Sequence, residues 1–438
     1  MNDMPDASAP ASSAGRPSFG EALAYWFRLG CLSFGGPAGQ IAMMQHDLVD
    51  GRRWIAQRAF LRGLSFATLL PGPEATQLAA YIGWRLHGTL GGVVAGTLFV
   101  LPGVLCMLAL SYVAAAHGET GFVGAIFDGL KPVVIAVVVH AVWRIGKKSL
   151  HTWQAAALAA AAFAAIHFAG IDFPWVVAAA ALIGWLSARG TAPSPFAAGG
   201  HGPAGEDDAP ASPLPANAGL RFAKLVAVFA ALWAVPVGAV LLAMGTHPFL
   251  DIADLFTKAA FVTFGGAYAV LPYVADAAVK LYGWLTPADM LNGLALAETT
   301  PGPLILVLQY VGFFAGWNAG AGDPLAAAVA GALLASYVTF LPSFLFILAG
   351  APYIEGMHEN RGVSSALGAI TAAVVGVILN LAVFLGQAVF VPVPGAVDLV
   401  AVGVAIAAFA LLVRFGVAMH WLVLAGAAFG LARHATGL

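Results

Sequence analysis

Backbone amides, rather than a cluster of reactive side chains, are the first candidates for chemistry in this sequence. Ser33-Phe34-Gly35-Gly36-Pro37 and Leu70-Pro71-Gly72-Pro73-Glu74 interrupt apolar runs with residues that cannot continue a helix quietly. Proline fits the first helical position, where its missing N–H costs nothing, so Pro37 and Pro73 can each start a half-helix. The free N–H groups and positive dipole end of such a half-helix make a ready anion site. Both signals return 230 positions later, as Thr263-Phe264-Gly265-Gly266 and Pro301-Gly302-Pro303. Gly35, Gly36, Gly72, Gly265, Gly266 and Gly302 have no side chain to keep an oxyanion from the backbone. A single break of this kind is equally a packing kink. Four in register across a duplication point to a site.

Charged groups near the breaks extend that reading. Arg28 and Lys258 occupy equivalent positions about two turns before the Gly-Gly pairs. Two cations related by the repeat could face a dianion together, or each could reach for a headgroup. Glu74 follows Pro73 and Glu298 precedes Pro301 by three residues. A carboxylate at membrane depth needs a cation or a helix N-terminus, or it takes a proton, so these two are the candidate proton carriers. Capping the half-helix is the plainer role for Glu74. Gln40 is a candidate to line the path, and Lys131 is a third cation that Asp128, one turn earlier, could neutralise.

The elements that must hold these residues are membrane helices. Hydrophobic residues make up 61% of the chain and charged ones 9%, with a mean hydropathy of +0.88. Soluble domains carry about 25% charged residues. A net charge of −2 and a pI near 6.6 argue against nucleic acid as a partner. Cys31 and Cys106 lie inside apolar runs and read as small buried hydrophobes, not a disulfide. No paired histidine spacing for a metal, no nucleotide fingerprint and no nucleophile elbow occurs, so no cofactor is expected and the chain does not read as an enzyme.

Thirteen apolar segments divide as six, one and six: a repeat over 19–187, a connecting helix over 221–245 and a second repeat over 246–438. Residues 1–18 read as a disordered tail, and 188–220, with Glu206, Asp207 and Asp208, as a cytoplasmic linker. An odd number of crossings before the second repeat inverts it, an architecture recurrent in transporters. Arg144, Lys147, Lys148, Arg189 and Lys224 place the N-terminus and linker in the cytoplasm and the C-terminus outside. Arg52, Arg53 and Arg58 break that rule if 19–46 crosses the membrane. The conflict disappears if 19–46 and 56–87 are re-entrant hairpins turning at Gly35-Gly36 and Pro71-Gly72-Pro73. The expected fold is therefore an all-α polytopic membrane protein of two inverted repeats, with nine spans and four hairpins favoured over thirteen spans.

Phe34-Gly35-Gly36-Pro37 with Gln40, Leu70-Pro71-Gly72-Pro73, Phe264-Gly265-Gly266 and Thr300-Pro301-Gly302-Pro303 together resemble the chromate ion transporter family. The resemblance covers about 19–435 and is to the long members with two fused halves. It implies export of chromate across the bacterial inner membrane, driven by the proton motive force. Ala267 stands where the first half has Pro37, so the two Gly-Gly sites are not equivalent. The residues themselves imply only a tetrahedral oxyanion, and sulfate is the alternative substrate. A lipid-phosphate phosphatase and a passive channel are alternatives of other classes. The expected partners are the oxyanion and the lipid bilayer, and a homodimer is compatible with the sequence.

Overall fold

A computed structural model of the chain describes residues 17–34, 36–189, 194–196, 218–320, 322–350, 361–393 and 395–436. Gly35, nearly all of the tail and most of the linker, including Glu206, Asp207 and Asp208, lie outside them. The described chain is helical, with no β-sheet. The first repeat contains α1 (Phe19–Leu32), α2 (Gly36–Gln45), α3 (Gln57–Leu69), α4 (Glu74–His117), α5 (Gly121–Ser149), α6 (Trp153–His167) and α7 (Phe173–Ser187). A connecting helix α8 (Ala218–Met244) leads to α9 (Phe249–Val262), α10 (Ala267–Asp276), α11 (Pro287–Thr299), α12 (Val307–Trp317) and α13 (Pro324–Gly350). The second repeat closes with α14 (Arg361–Phe390), α15 (Leu399–Phe415) and α16 (Met419–Thr436). Five of the described helices, α4, α5, α8, α13 and α14, are long and apolar enough to cross a membrane. The chain is an all-α polytopic membrane protein.

Local sequence explains the ends. Ser18 and Glu21 form a capping box before α1, and Thr286 and Asp289 form another before α11. Helices α2 and α10 both widen into π-helical turns, His46–Gly51 and Ala277–Leu281, at matching places in the repeats. Helix α4 is bent at His87 and Gly88, and its two arms lie against each other. A methyl on Gly83 would sit 2.4 Å from the carbonyl oxygen of Gly91.

Ring and glycine contacts show which way the short helices run. Beyond α2, the Trp54 ring returns to Tyr25 of α1 at 5.4 Å, and Arg52 lies 5.0 Å over Trp54 and 5.2 Å over Tyr25. In the second repeat Trp284 returns to Phe256 of α9 at 6.5 Å. Gly63 of α3 packs on the ring of Tyr81, each nine residues from Gly72, and Gly293 packs likewise on Tyr310. Chain segments that meet this way across a central turn are antiparallel. Each repeat therefore begins with two antiparallel helical hairpins, turning at the Gly-Gly and the Pro-Gly-Pro breaks.

The later helices of the two halves pack reciprocally. Gly430 of α16 sits on Ala125 and Gly129 of α5, and Gly184 of α7 sits on Ser365 and Ala369 of α14. The connection after α12 is ten residues longer than its counterpart at His87-Gly88, so the repeat offset becomes 240: Pro102 matches Pro342, His140 matches Asn380 and Gly146 matches Gly386. Helix α14 runs alongside α6 in the same direction, with Gly376 on Ala159 and Asn380 Oδ1 2.9 Å from His167 Nδ1. One departure from symmetry matters. Helix α11 packs on α5, α14 and α16, whereas the helix that chiefly covers α3 is α4. Leu61 on α3 is 44% exposed and its match Leu291 is fully buried.

Candidate functional site

The four breaks meet, and each half's proline turn is fastened to the other half's glycine turn. The N–H of Gly72 donates to the carbonyl of Thr263 at 2.8 Å. The N–H of Gly302 donates to the carbonyl and the hydroxyl of Ser33, both at 3.1 Å. Under the 230-residue offset these are the same contact made twice. Gly72 and Gly302 adopt φ of 122° and 95°, which only glycine takes without strain. Gln40, fully buried, donates from Nε2 to Ser33 O at 3.0 Å and to Gly302 O at 2.7 Å. Gln77 braces the other turn through Pro71 O at 2.7 Å. Proline-bearing stretches of long helices close the ends: Gly103, after Pro102, abuts the Pro301 carbonyl, while Ser343, after Pro342, abuts Gly72.

These bonds revise the expected roles. The amides of Gly72 and Gly302 are committed to joining the halves, so they act as struts and not as free anion donors. Pro73 caps α4, and Pro303 caps a short 3₁₀ turn, Leu304–Leu306. Pro37 lies in the first turn of α2. Gly36 and Gly266 face open space, with no atom within 4 Å of where a methyl would lie, and Gly265 faces Thr371 at 3.7 Å. Arg28 is exposed on α1. Lys258 is 61% exposed and holds Asp254 at 2.6 Å. Neither cation reaches the turns through any hydrogen bond, so the paired seat expected of them is not assembled. Lys131 holds Asp128 at 2.6 Å, the neutralised arrangement. Cys31 and Cys106 are free and half-buried, not fully buried as their apolar settings suggested.

Four buried polar atoms around the turns have no hydrogen-bond partner: Gln40 Oε1, Gln77 Oε1, Thr76 Oγ1 and Ser343 Oγ. Buried polar groups are nearly always satisfied, so these four atoms have room in their hydrogen bonding for a water or an ion. Glu298, half-buried at the end of α11, accepts a hydrogen bond from the Tyr268 hydroxyl in the first turn of α10. Helix α5, which carries exposed Arg144 and Lys148, packs on α11, and Glu74 is half-buried at the start of α4. Sequence reasoning assigned Arg144 and Lys148 only to topology and did not single out Tyr268. A signal was present: Tyr268 and Glu298 align with Ala38 and Thr68, and Arg144 with Phe384, so polarity changes at all three positions together. Among the described residues no group of three or more His, Cys, Asp or Glu side chains could hold a metal.

The profile of the Chromate transporter family matches residues 20–185 and 250–431, both halves of the hairpin architecture. The chain belongs to the chromate transporter family. Among its relatives is a chromate transport protein of Pseudomonas aeruginosa, 34% identical over 86% of this chain and 83% of the relative. Another, from Cupriavidus metallidurans, is 28% identical over 97% of this chain and 96% of its own length. A probable chromate transport protein of Synechococcus elongatus is 27% identical over 83% of each chain. No solved structure matches the chain. The interlocked turns of this family member are built from the motifs that carried the resemblance, and they lie within both matched regions.

Proposed function

We propose that this chromate transporter family member exports chromate from the bacterial cytoplasm across the inner membrane, as a secondary transporter coupled to the proton motive force. The observation that carries the proposal is the reciprocal fastening of four half-helix breaks, with unpartnered buried polar atoms beside them. Gly36, Gly265 and Gly266 offer the approachable backbone, with Gln40 within the same joint and Pro37, Pro73 and Pro303 fixing the helix starts. Arg28 and Lys258, both exposed, act by drawing the dianion toward the protein. Glu74 and Glu298 carry the proton. The inside-negative potential already favours an outward-moving dianion, by about 2.3 kcal/mol per charge for every 100 mV. The N-terminus and linker are cytoplasmic and the C-terminus external, in keeping with Lys147 and Lys148 at one end of α5.

The relatives' names supply chromate, whereas the donors described here would receive any tetrahedral dianion. Uptake of labelled chromate into everted vesicles with an imposed proton gradient tests the proposal. Gly36→Leu, which fills the open space before α2, is expected to abolish uptake and chromate resistance while the protein stays in the membrane. Unchanged uptake in that variant would remove the glycine turn from the site. Excess sulfate that suppresses chromate uptake would make sulfate the main substrate, with chromate as passenger.

A further inference from the structure

Helix α4 begins inside the joint with its first turn uncapped. Pro73, at the N-cap, has no side chain to accept a hydrogen bond, and among the described residues nothing accepts from the amides of Glu74, Ala75 and Thr76. The amide of Gln77 is the first with a partner, the Pro73 carbonyl at 3.0 Å. Ala75 and Thr76 are buried, so bulk solvent does not stand in for the missing acceptors. Side-chain donors gather at the same end. Gln77 folds back to give one Nε2–H to the Pro71 carbonyl at 2.7 Å, and its other Nε2–H is unused. A methyl on Gly72 would lie 2.6 Å from Ser343 Oγ and 2.8 Å from Gln77 Nε2, so the bare glycine is what lets both approach. The hydroxyls of Thr76 and Ser343 are buried without a partner. Thr339, one turn before Ser343 on α13, instead gives its hydroxyl to the Ala335 carbonyl of its own helix at 2.7 Å. In the other half the matching residues are Leu306, Val307 and Gly103, none with a side-chain donor. There a methyl on Gly302 would meet Leu306 at 3.2 Å and Gly103 at 3.4 Å. The duplication built one such helix start and not two.

We propose that the start of α4 is the seat of the oxyanion, with the amides of Ala75 and Thr76, the hydroxyls of Thr76 and Ser343 and the free Nε2–H of Gln77 as its donors. This rests on the transport reading above and names its binding residues. Every one of these groups is a neutral donor, which suits an ion that only accepts hydrogen bonds. The helix end adds roughly half a positive charge. A tetrahedral ion has oxygens for donors arriving from several directions, and these arrive from the backbone of α4, two of its side chains and α13 of the other half. Ser343 thus joins the ion to the opposite repeat, so that the seat is complete only while Gly72 is fastened to Thr263. Glu74 makes no hydrogen bond to these groups and leaves them to the incoming ion.

Equilibrium binding of labelled chromate to the purified full-length protein, together with thermal melts, tests this. Chromate is expected to raise the melting temperature of wild type. Ser343→Ala and Thr76→Val are each expected to weaken binding about ten-fold or more, because each removes a hydrogen bond to a charged ligand. Their ligand-free melting temperatures should equal or exceed that of wild type, since each also removes an unpartnered buried hydroxyl. A hydroxyl serving structure alone would give the opposite pattern. Thr76→Ser should keep wild-type affinity, as should Thr339→Val, whose hydroxyl is already used within its helix. Wild-type affinity in both Ser343→Ala and Thr76→Val means that the helix start holds water only, which overturns the inference and leaves the transport reading standing. A wild-type protein that binds no chromate overturns the transport reading itself. A variant that fails to fold is replaced by Ser343→Cys or Thr76→Ala, judged by the same affinities.

Discussion

Gln40 carries more of the joint than its neighbours do. One amide group, with no exposure to solvent, satisfies a carbonyl from each half of the chain. Gln40→Leu would keep the volume, orphan the buried Gly302 carbonyl at a cost of about 1–3 kcal/mol, and leave the Ser33 carbonyl only its bond from the Gly302 amide. The expected result is a marked fall in the melting temperature of the detergent-solubilised protein, larger than for Gln45→Leu in the same helix. At this scale the sequence was partly legible. Glycine and proline announce themselves because few residues replace them, so the four turns could be read directly. Partnership could not be: nothing in the order of residues says that the Gly72 amide will be used by Thr263.

At the scale of the element, the hairpins are held by close backbone approach. A methyl on Gly63 would lie 2.3 Å from the ring of Tyr81, and one on Gly293 would lie 2.5 Å from that of Tyr310. Gly63→Ala is therefore expected to destabilise by about 1–3 kcal/mol through overpacking. Pairing it with Tyr81→Leu should restore part of the loss in thermal melts, whereas a Tyr81→Phe partner should not. Hairpins also fix sidedness. Cysteines placed at Gly51 and Gln57 should react with impermeant reagents only from the cytoplasmic face, in intact and everted vesicles. External labelling at either position would make α1 and α2 a crossing segment. The turns of these hairpins were legible in the Gly-Gly and Pro-Gly-Pro breaks, while Arg52, Arg53 and Arg58 are the reason to expect both ends of the first hairpin on one side. The place Arg52 takes, over the rings of Tyr25 and Trp54, required the folded hairpin to be seen.

Over the whole molecule the halves share a pattern and differ in cover. The later helices close over α11 and leave the matching face of α3, including Leu61, open. Inverted repeats commonly interconvert by exchanging such arrangements. The opposite state is then one in which α14 closes over α3 as α5 now closes over α11. Phe384 and Thr68 match Arg144 and Glu298, so a Phe384→Cys, Thr68→Cys pair should cross-link in that state alone. If that pair never reacts under any gradient or anion concentration, the exchange does not occur. Repeat boundaries and helix lengths followed from apolar runs and turn residues. The unequal cover did not, because it arises from tertiary choice between two nearly equal docking faces.

The fastening of each proline turn to the opposite half has a consequence during synthesis. The Gly72 amide waits for Thr263, and Ser33 waits for Gly302, which has yet to be translated. At about 5–20 residues per second, more than 190 residues of delay means roughly ten seconds or more with an unfinished joint in the lipid. A nascent first half is thus a natural client for membrane chaperones and proteases, and a ribosome stalled in the linker should yield a product that is degraded. Supplying the second half as a separate polypeptide should rescue that product, because the missing bonds come from outside the first half.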